Sequence, residues 1–92
     1  MHTANSVLSV SSLAYDLRAT EGYLVEDASG RLVGRVESPM YGTSPDVPDA
    51  LAVRRNFLAS RRLVPVEAIE QVDGEGRVIE LRVERDSIQK FL

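Results

Sequence analysis

The chain has no cysteine and no tryptophan, and its single histidine is His2. No disulfide framework braces such a chain, and thiolate or Cys/His metal chemistry has no residues to work with. The lack of cysteine also fits a reducing compartment. A Ser-His-Asp relay needs a histidine held by tertiary structure, and His2 lies in an expected frayed tail, Met1 to Asn5. Neither a G-x-S-x-G elbow nor a glycine-rich phosphate loop occurs. Fully apolar runs never exceed four residues, far short of a membrane span. The opening MHTANSVLSVSSLAYDL has neither the basic flank nor the apolar core of a signal peptide. The net charge of −3 gives no general attraction to nucleic acid or anionic lipid. Together these absences predict a cytoplasmic, non-enzymatic protein with no cofactor, no bound metal and no membrane insertion.

Carboxylates are the remaining metal candidates. Glu26 with Asp27, Asp46 with Asp49, and Asp73 with Glu75 lie close in sequence, but none has the spacing of a calcium loop. Solvated turn residues are the expected reading.

What is present is ordinary for a globular domain: 43% hydrophobic and 27% charged residues in 92. That length predicts a single domain over residues 1–92, with residues 1–11 a flexible segment or an edge strand. A domain of this size buries only roughly 60–65% of its unfolded surface, so its core is thin. Association with a second copy, as a dimer, is one way to enlarge that burial.

Along the chain, Leu13 to Arg18 is expected to form a helical turn capped by Ser11 or Ser12. Tyr23-Leu24-Val25-Glu26 is strand-like, and Asp27-Ala28-Ser29-Gly30 is a turn. Arg31 to Glu37 alternates, which places Leu32, Gly34 and Val36 inward and Val33 outward. Gly34 inside a strand marks a bend or a close backbone approach. Residues 39–49 hold three of the four prolines and are expected to be a loop. Ala50 to Arg55 is a strand. Asn56 to Ser60 is a turn, with Phe57 and Leu58 available to plug a barrel end. Arg62 to Val66 is a strand with a proline in it, Glu67 to Asp73 a turn and a further strand, and Asp73-Gly74-Glu75-Gly76 a hairpin turn. Val78 to Val83 alternates again, with Ile79, Leu81 and Val83 inward. Asp86, with Gln89 as its capping-box partner, opens a last helical turn that sets Ile88, Phe91 and Leu92 over the barrel. Five or six short strands and almost no helix predict an all-β sandwich or barrel.

These segments resemble the PRC-barrel family, named after the photosynthetic reaction centre H subunit. Gly22-Tyr23-Leu24-Val25, the D-x-x-G turn Asp27 to Gly30, Val33-Gly34-Arg35-Val36, Leu63-Val64-Pro65-Val66, and Ile69 to Gly76 follow the order and spacing of its motifs. The resemblance covers about Ser12 to Leu92. It implies a small PRC-type β-barrel of five or six antiparallel strands with a short C-terminal helical turn. It also implies a stand-alone domain that binds proteins and has no catalytic residues to carry over. Related domains occur in the reaction centre and in a ribosome maturation factor.

Two stretches are candidate interaction surfaces. Arg54, Arg55, Arg61 and Arg62 place four arginines in nine residues, with Phe57 between them. That cluster suits RNA phosphate, as in ribosome association, or an acidic protein partner. Strand alternation would instead send Arg54 and Arg55 to opposite faces, and the negative net charge speaks against nucleic acid. The proline-rich loop contributes Met40 and Tyr41, residue types favoured at adaptable interfaces.

Overall fold

The computed structural model describes residues 16–42 and 44–91. The expected N-terminal segment, residues 1–11, and residues 13–15 of the expected helical turn lie outside that range. Described residues begin at Asp16, whose carboxylate accepts the Arg18 N–H at 3.0 Å and so caps a 3-10 turn over Leu17–Ala19.

Seven strands follow: β1 (Leu24–Glu26), β2 (Leu32–Met40), β3 (Ala50–Arg54), β4 (Arg61–Pro65), β5 (Ile69–Asp73), β6 (Val78–Leu81) and β7 (Lys90–Phe91). They form one sheet in the order β5-β6-β1-β2-β3-β4-β7. The fold is all-β, a small barrel-like sheet with only 3-10 turns as helix among the described residues. The sheet curls around one core that includes Val25, Val36, Leu51, Val53, Val64, Ile69, Ile79 and Leu81.

The strand count exceeds the expected five or six, and the pairing is not wholly antiparallel. β1 runs parallel to β6, with Leu24 beside Val78 and Val25 beside Ile79. Hairpin turns dictate antiparallel pairing between sequence neighbours only. β1 and β6 meet because β2 occupies one edge of β1 and the β5–β6 hairpin crosses over to the other.

β2 is where the period-2 reading fails. Glu26 pairs with Leu32 and Val25 with Gly34, which leaves Val33 as an extra bulged residue. The bulge shifts the phase, so Leu32 is 39% exposed while Val33 is buried at 2%, the reverse of the alternation. A second bulge at Glu37 separates the pairs Val36–Val53 and Ser38–Ala52. Beyond it, Pro39 and Met40 continue the strand opposite Leu51 and Ala50, where a loop was expected. β2 has outrun β1 by then, so the missing proline N–H removes no bond to β1. Pro65 likewise falls at a strand end, and a 3-10 turn over Val66–Ala68 follows it.

Between the bulges, Gly34 passes against β3. A methyl group on its Cα would lie 2.6 Å from both the carbonyl carbon and oxygen of Arg54, and the backbone φ is +157°. Backbone cannot rotate out of the way as a side chain can, so the position accepts only glycine.

The C-terminal capping box is not formed. Arg85–Ser87 is a 3-10 turn whose N-cap, Glu84, makes no side-chain capping bond, and the chain then extends into β7. Distant side chains claim its polar groups instead. Arg62 donates to the carbonyls of Arg85 and Ile88 at 3.0 and 2.9 Å, and the Arg85 N–H goes to Asp27 at 2.8 Å. Ile88 is buried, as expected.

Asp27 is the centre of this latch. Its buried carboxylate accepts N–H groups from Ser29, Arg31 and Arg85, and the Arg31 guanidinium at 3.0 Å. Ala28 N–H to Val83 O at 2.9 Å, and Ser29 Oγ to Glu84, tie the same turn to the C-terminal segment. Burial alone raises a carboxyl pKa, but here the backbone donors from Arg85, Arg31 and Ser29 and the Arg31 side chain outweigh it, holding Asp27 at about 2.

Two outcomes follow from these contacts. Gly34→Ala is expected to cost about 2–4 kcal/mol through backbone overlap and φ strain, read as a lower urea midpoint; a midpoint within error of the wild type would show that β2 and β3 can separate freely. For Asp27, a depressed pKa contributes stability that is complete above the ordinary value of 3.8 and disappears as pH falls toward about 2. Urea midpoints measured through that window should fall more steeply for the wild type than for Asp27→Asn; parallel slopes would mean the latch carries no charge-dependent stability.

Candidate functional site

The β3–β4 hairpin gathers most of the sequence candidates. Asn56 Oδ1 accepts the Leu58 N–H at 2.9 Å, the Ala59 N–H reaches Asn56 O at 3.0 Å, and Arg54 donates to Phe57 O at 3.1 Å. The turn is thus held by its own polar groups. It gains nothing from its two large apolar side chains, which stand in solvent: Phe57 is 82% exposed and Leu58 85%. They do not plug the barrel end, because the bonded turn points them away from it.

The four arginines have separate tasks. Glu37 is the bulged residue of β2, and the bulge turns its carboxylate across the sheet toward β3 and β4. Arg54 Nε lies 2.9 Å from Glu37 Oε2 as a charge contact without hydrogen-bond alignment, and Arg61 Nε donates to Oε1 at 2.7 Å. Arg62 is half-buried and spends one guanidinium nitrogen on the carbonyls of Arg85 and Ile88. Arg55 points outward and has no ion-pair partner among the described residues.

Arg55 and Arg62 line a depression of about 310 Å³ together with Val33, Ser60, Arg85 and Lys90. Arg85 and Lys90 were invisible as site residues in the sequence, where Arg85 preceded, and Lys90 fell within, the last helical turn expected from Asp86 on. Their basic character was the available signal, but only the return of β7 beside β4 brings them to the hairpin. Met40 and Tyr41 are not part of this face. They sit at the end of the β2–β3 ladder where Met40 pairs with Ala50, whereas the hairpin leaves from the Arg54 end. Both are exposed there.

Two of the carboxylate candidates are engaged in turns, while Glu26 lies in β1. Asp73 accepts the N–H groups of Glu75 and Gly76, and Asp27 forms the latch. Among the described residues no three His, Cys, Asp or Glu side chains converge as a metal set, and no helix is long and apolar enough to cross a membrane. His2 lies outside the described residues.

No family model matches the chain, and no curated protein matches it. Among solved structures it is similar to RimM of Pseudomonas aeruginosa, described as a 16S ribosomal RNA processing protein, with a TM-score of 0.61 and 18% identity. The match covers 79% of this chain and 46% of that one, so the chain spans about half the length of RimM. At that identity the likeness establishes a shared fold, and it supports the PRC-type barrel expected from the sequence motifs.

The shared acceptor at Glu37 gives a local expectation. Glu37→Gln should lower global stability by no more than about 1 kcal/mol, since both pairs are partly solvated. Amide exchange at Leu58 and Ala59 should nevertheless accelerate as Arg54 loses its anchor. Unchanged exchange at those amides would mean the turn holds itself without β2.

Proposed function

We propose that the chain is a non-catalytic protein-interaction module whose docking element is the tip of the β3–β4 hairpin. One observation carries this reading: Phe57 and Leu58, adjacent and more than four-fifths exposed, are kept in water by a turn that does not need them. Transferring each into an interface yields about 1.5–3 kcal/mol, a driving force the isolated domain leaves unused. Arginines around such a pair favour orientation and partner choice over bulk affinity. A second copy is the simplest partner, the tips of two domains meeting in a dimer in a reducing, cytoplasmic setting.

The alternative is RNA or ribosome association through Arg54, Arg55, Arg61 and Arg62. The shared fold with a protein described as acting in 16S ribosomal RNA processing supports it. Against it, Arg54 and Arg61 already share Glu37, and Arg62 bonds backbone carbonyls.

Phe57→Ser/Leu58→Ser is the direct test. Folding stability should change by less than about 0.5 kcal/mol, because neither side chain contributes to the core. Sedimentation equilibrium at high micromolar concentration should show a reversible dimer for the wild type and a monomer for the variant. A strictly monomeric wild type removes self-association, and identical sets of proteins retained from native lysate by both forms would remove docking through the tip.

A further inference from the structure

We propose that the depression beside the hairpin tip seats an acidic linear segment of a partner protein, its carboxylates on Arg55, Lys90 and the outer face of Arg62, and an aliphatic side chain against Phe57 and Leu58. This deepens the docking reading of the tip and rests on it.

The first support is a charge imbalance. Acidic residues outnumber lysine and arginine in the chain, 14 to 11. The depression nevertheless collects Arg55, Arg62, Arg85 and Lys90 around a single acid, Asp86. That acid is a loose partner, 3.9 Å from Arg85 Nε and 4.0 Å from Arg31. Arg55 and Lys90 have no ion-pair partner among the described residues. Arg62 is oriented through one nitrogen by two backbone carbonyls, which leaves the rest of its guanidinium for a ligand. Four like charges held together repel one another, and an anionic occupant relieves that repulsion.

The second support is extent. The depression has a volume of about 310 Å³, room for a few side chains. The apolar element is the exposed Phe57–Leu58 pair, on the hairpin that also carries Arg55 and Arg62, since Val33 beneath the depression is only 2% exposed. Carboxylates with an interspersed aliphatic residue match this mixture of charge and apolar surface. A nucleic-acid backbone matches it less well. Binding a polyphosphate calls for a basic track that continues along the strand, whereas here Asp86 stands within the depression and the arginines beyond it, Arg54 and Arg31, are already paired with Glu37 and Glu84.

The test is fluorescence anisotropy with the full chain and a short fluorescein-labelled peptide of Asp and Glu containing two leucines. A peptide with lysine at every acidic position and a labelled oligouridylate of equal length serve as the other probes. The acidic peptide is expected to bind, to weaken with added salt, and to lose at least about tenfold in affinity to Arg55→Glu/Lys90→Glu. Arg55→Gln/Lys90→Gln, if charge reversal disturbs folding, should show a smaller loss in the same direction. Tighter binding of the oligouridylate, equal binding of the lysine peptide, or no binding of the acidic peptide overturns the proposal. So does wild-type self-association abolished by Asp46→Lys, which would make the acidic Asp46–Asp49 loop of a second copy the occupant. If Phe57→Ser/Leu58→Ser removes peptide binding while Arg55→Glu/Lys90→Glu does not, the tip remains a docking element and only the acidic partner is refuted. Binding unchanged by both variants refutes both readings.

Discussion

The structure turns on the place where β2 lies against the end of β3 with no room for a side chain. Gly34 meets the Arg54 carbonyl at a separation that excludes even a methyl group. Bulges at Val33 and Glu37 flank this point, so β2 bends on both sides of it. That bend lets one sheet curl far enough to enclose a core in a chain of 92 residues. It also fixes where β3 stops, and hence where the hairpin leaves the barrel. The second bulge then swings Glu37 under Arg54 and Arg61, tethering the base of the hairpin to β2. One steric constraint thus sets the curvature, the hairpin's exit and the anchoring of its base.

A thin core leaves the remaining work to polar latches between segments remote in sequence. Asp27 joins the first hairpin turn to Arg85, and Arg62 joins β4 to the same C-terminal turn. Each latch satisfies backbone groups that a three-residue 3-10 turn cannot satisfy internally. The C-terminal segment therefore needs no helix of its own, and it is free to bring Arg85 and Lys90 beside the hairpin.

What the sequence displayed and what it hid divide along physical lines. Local turn chemistry was plain: Asp27 to Gly30 and Asp73 to Gly76 are turns, and Ile79 and Leu81 point inward as their spacing indicates. Gly34 was marked as a bend or a close approach, although its counterpart, the Arg54 backbone, was not readable. Bulges were invisible, because one inserted residue inverts the alternation without changing composition; Leu32 and Val33 were exchanged for that reason. Pro39 looked like a loop residue because only the sheet shows that β2 overhangs its neighbour there. The parallel contact of β1 with β6 is non-local, and no turn records it. The arginine cluster was evident as composition. Its division of labour depends on Glu37, Arg85 and Ile88, none of which is near it in the chain.

The hairpin tip lies outside the hydrophobic core. Its two large side chains are no part of that core, and the polar turn beneath them is bonded by Asn56 and the backbone rather than by them. Substitutions at positions 57 and 58 are therefore nearly invisible to selection for stability. If the tip docks a partner as proposed, specificity is free to diversify at those two positions while the scaffold stays constant.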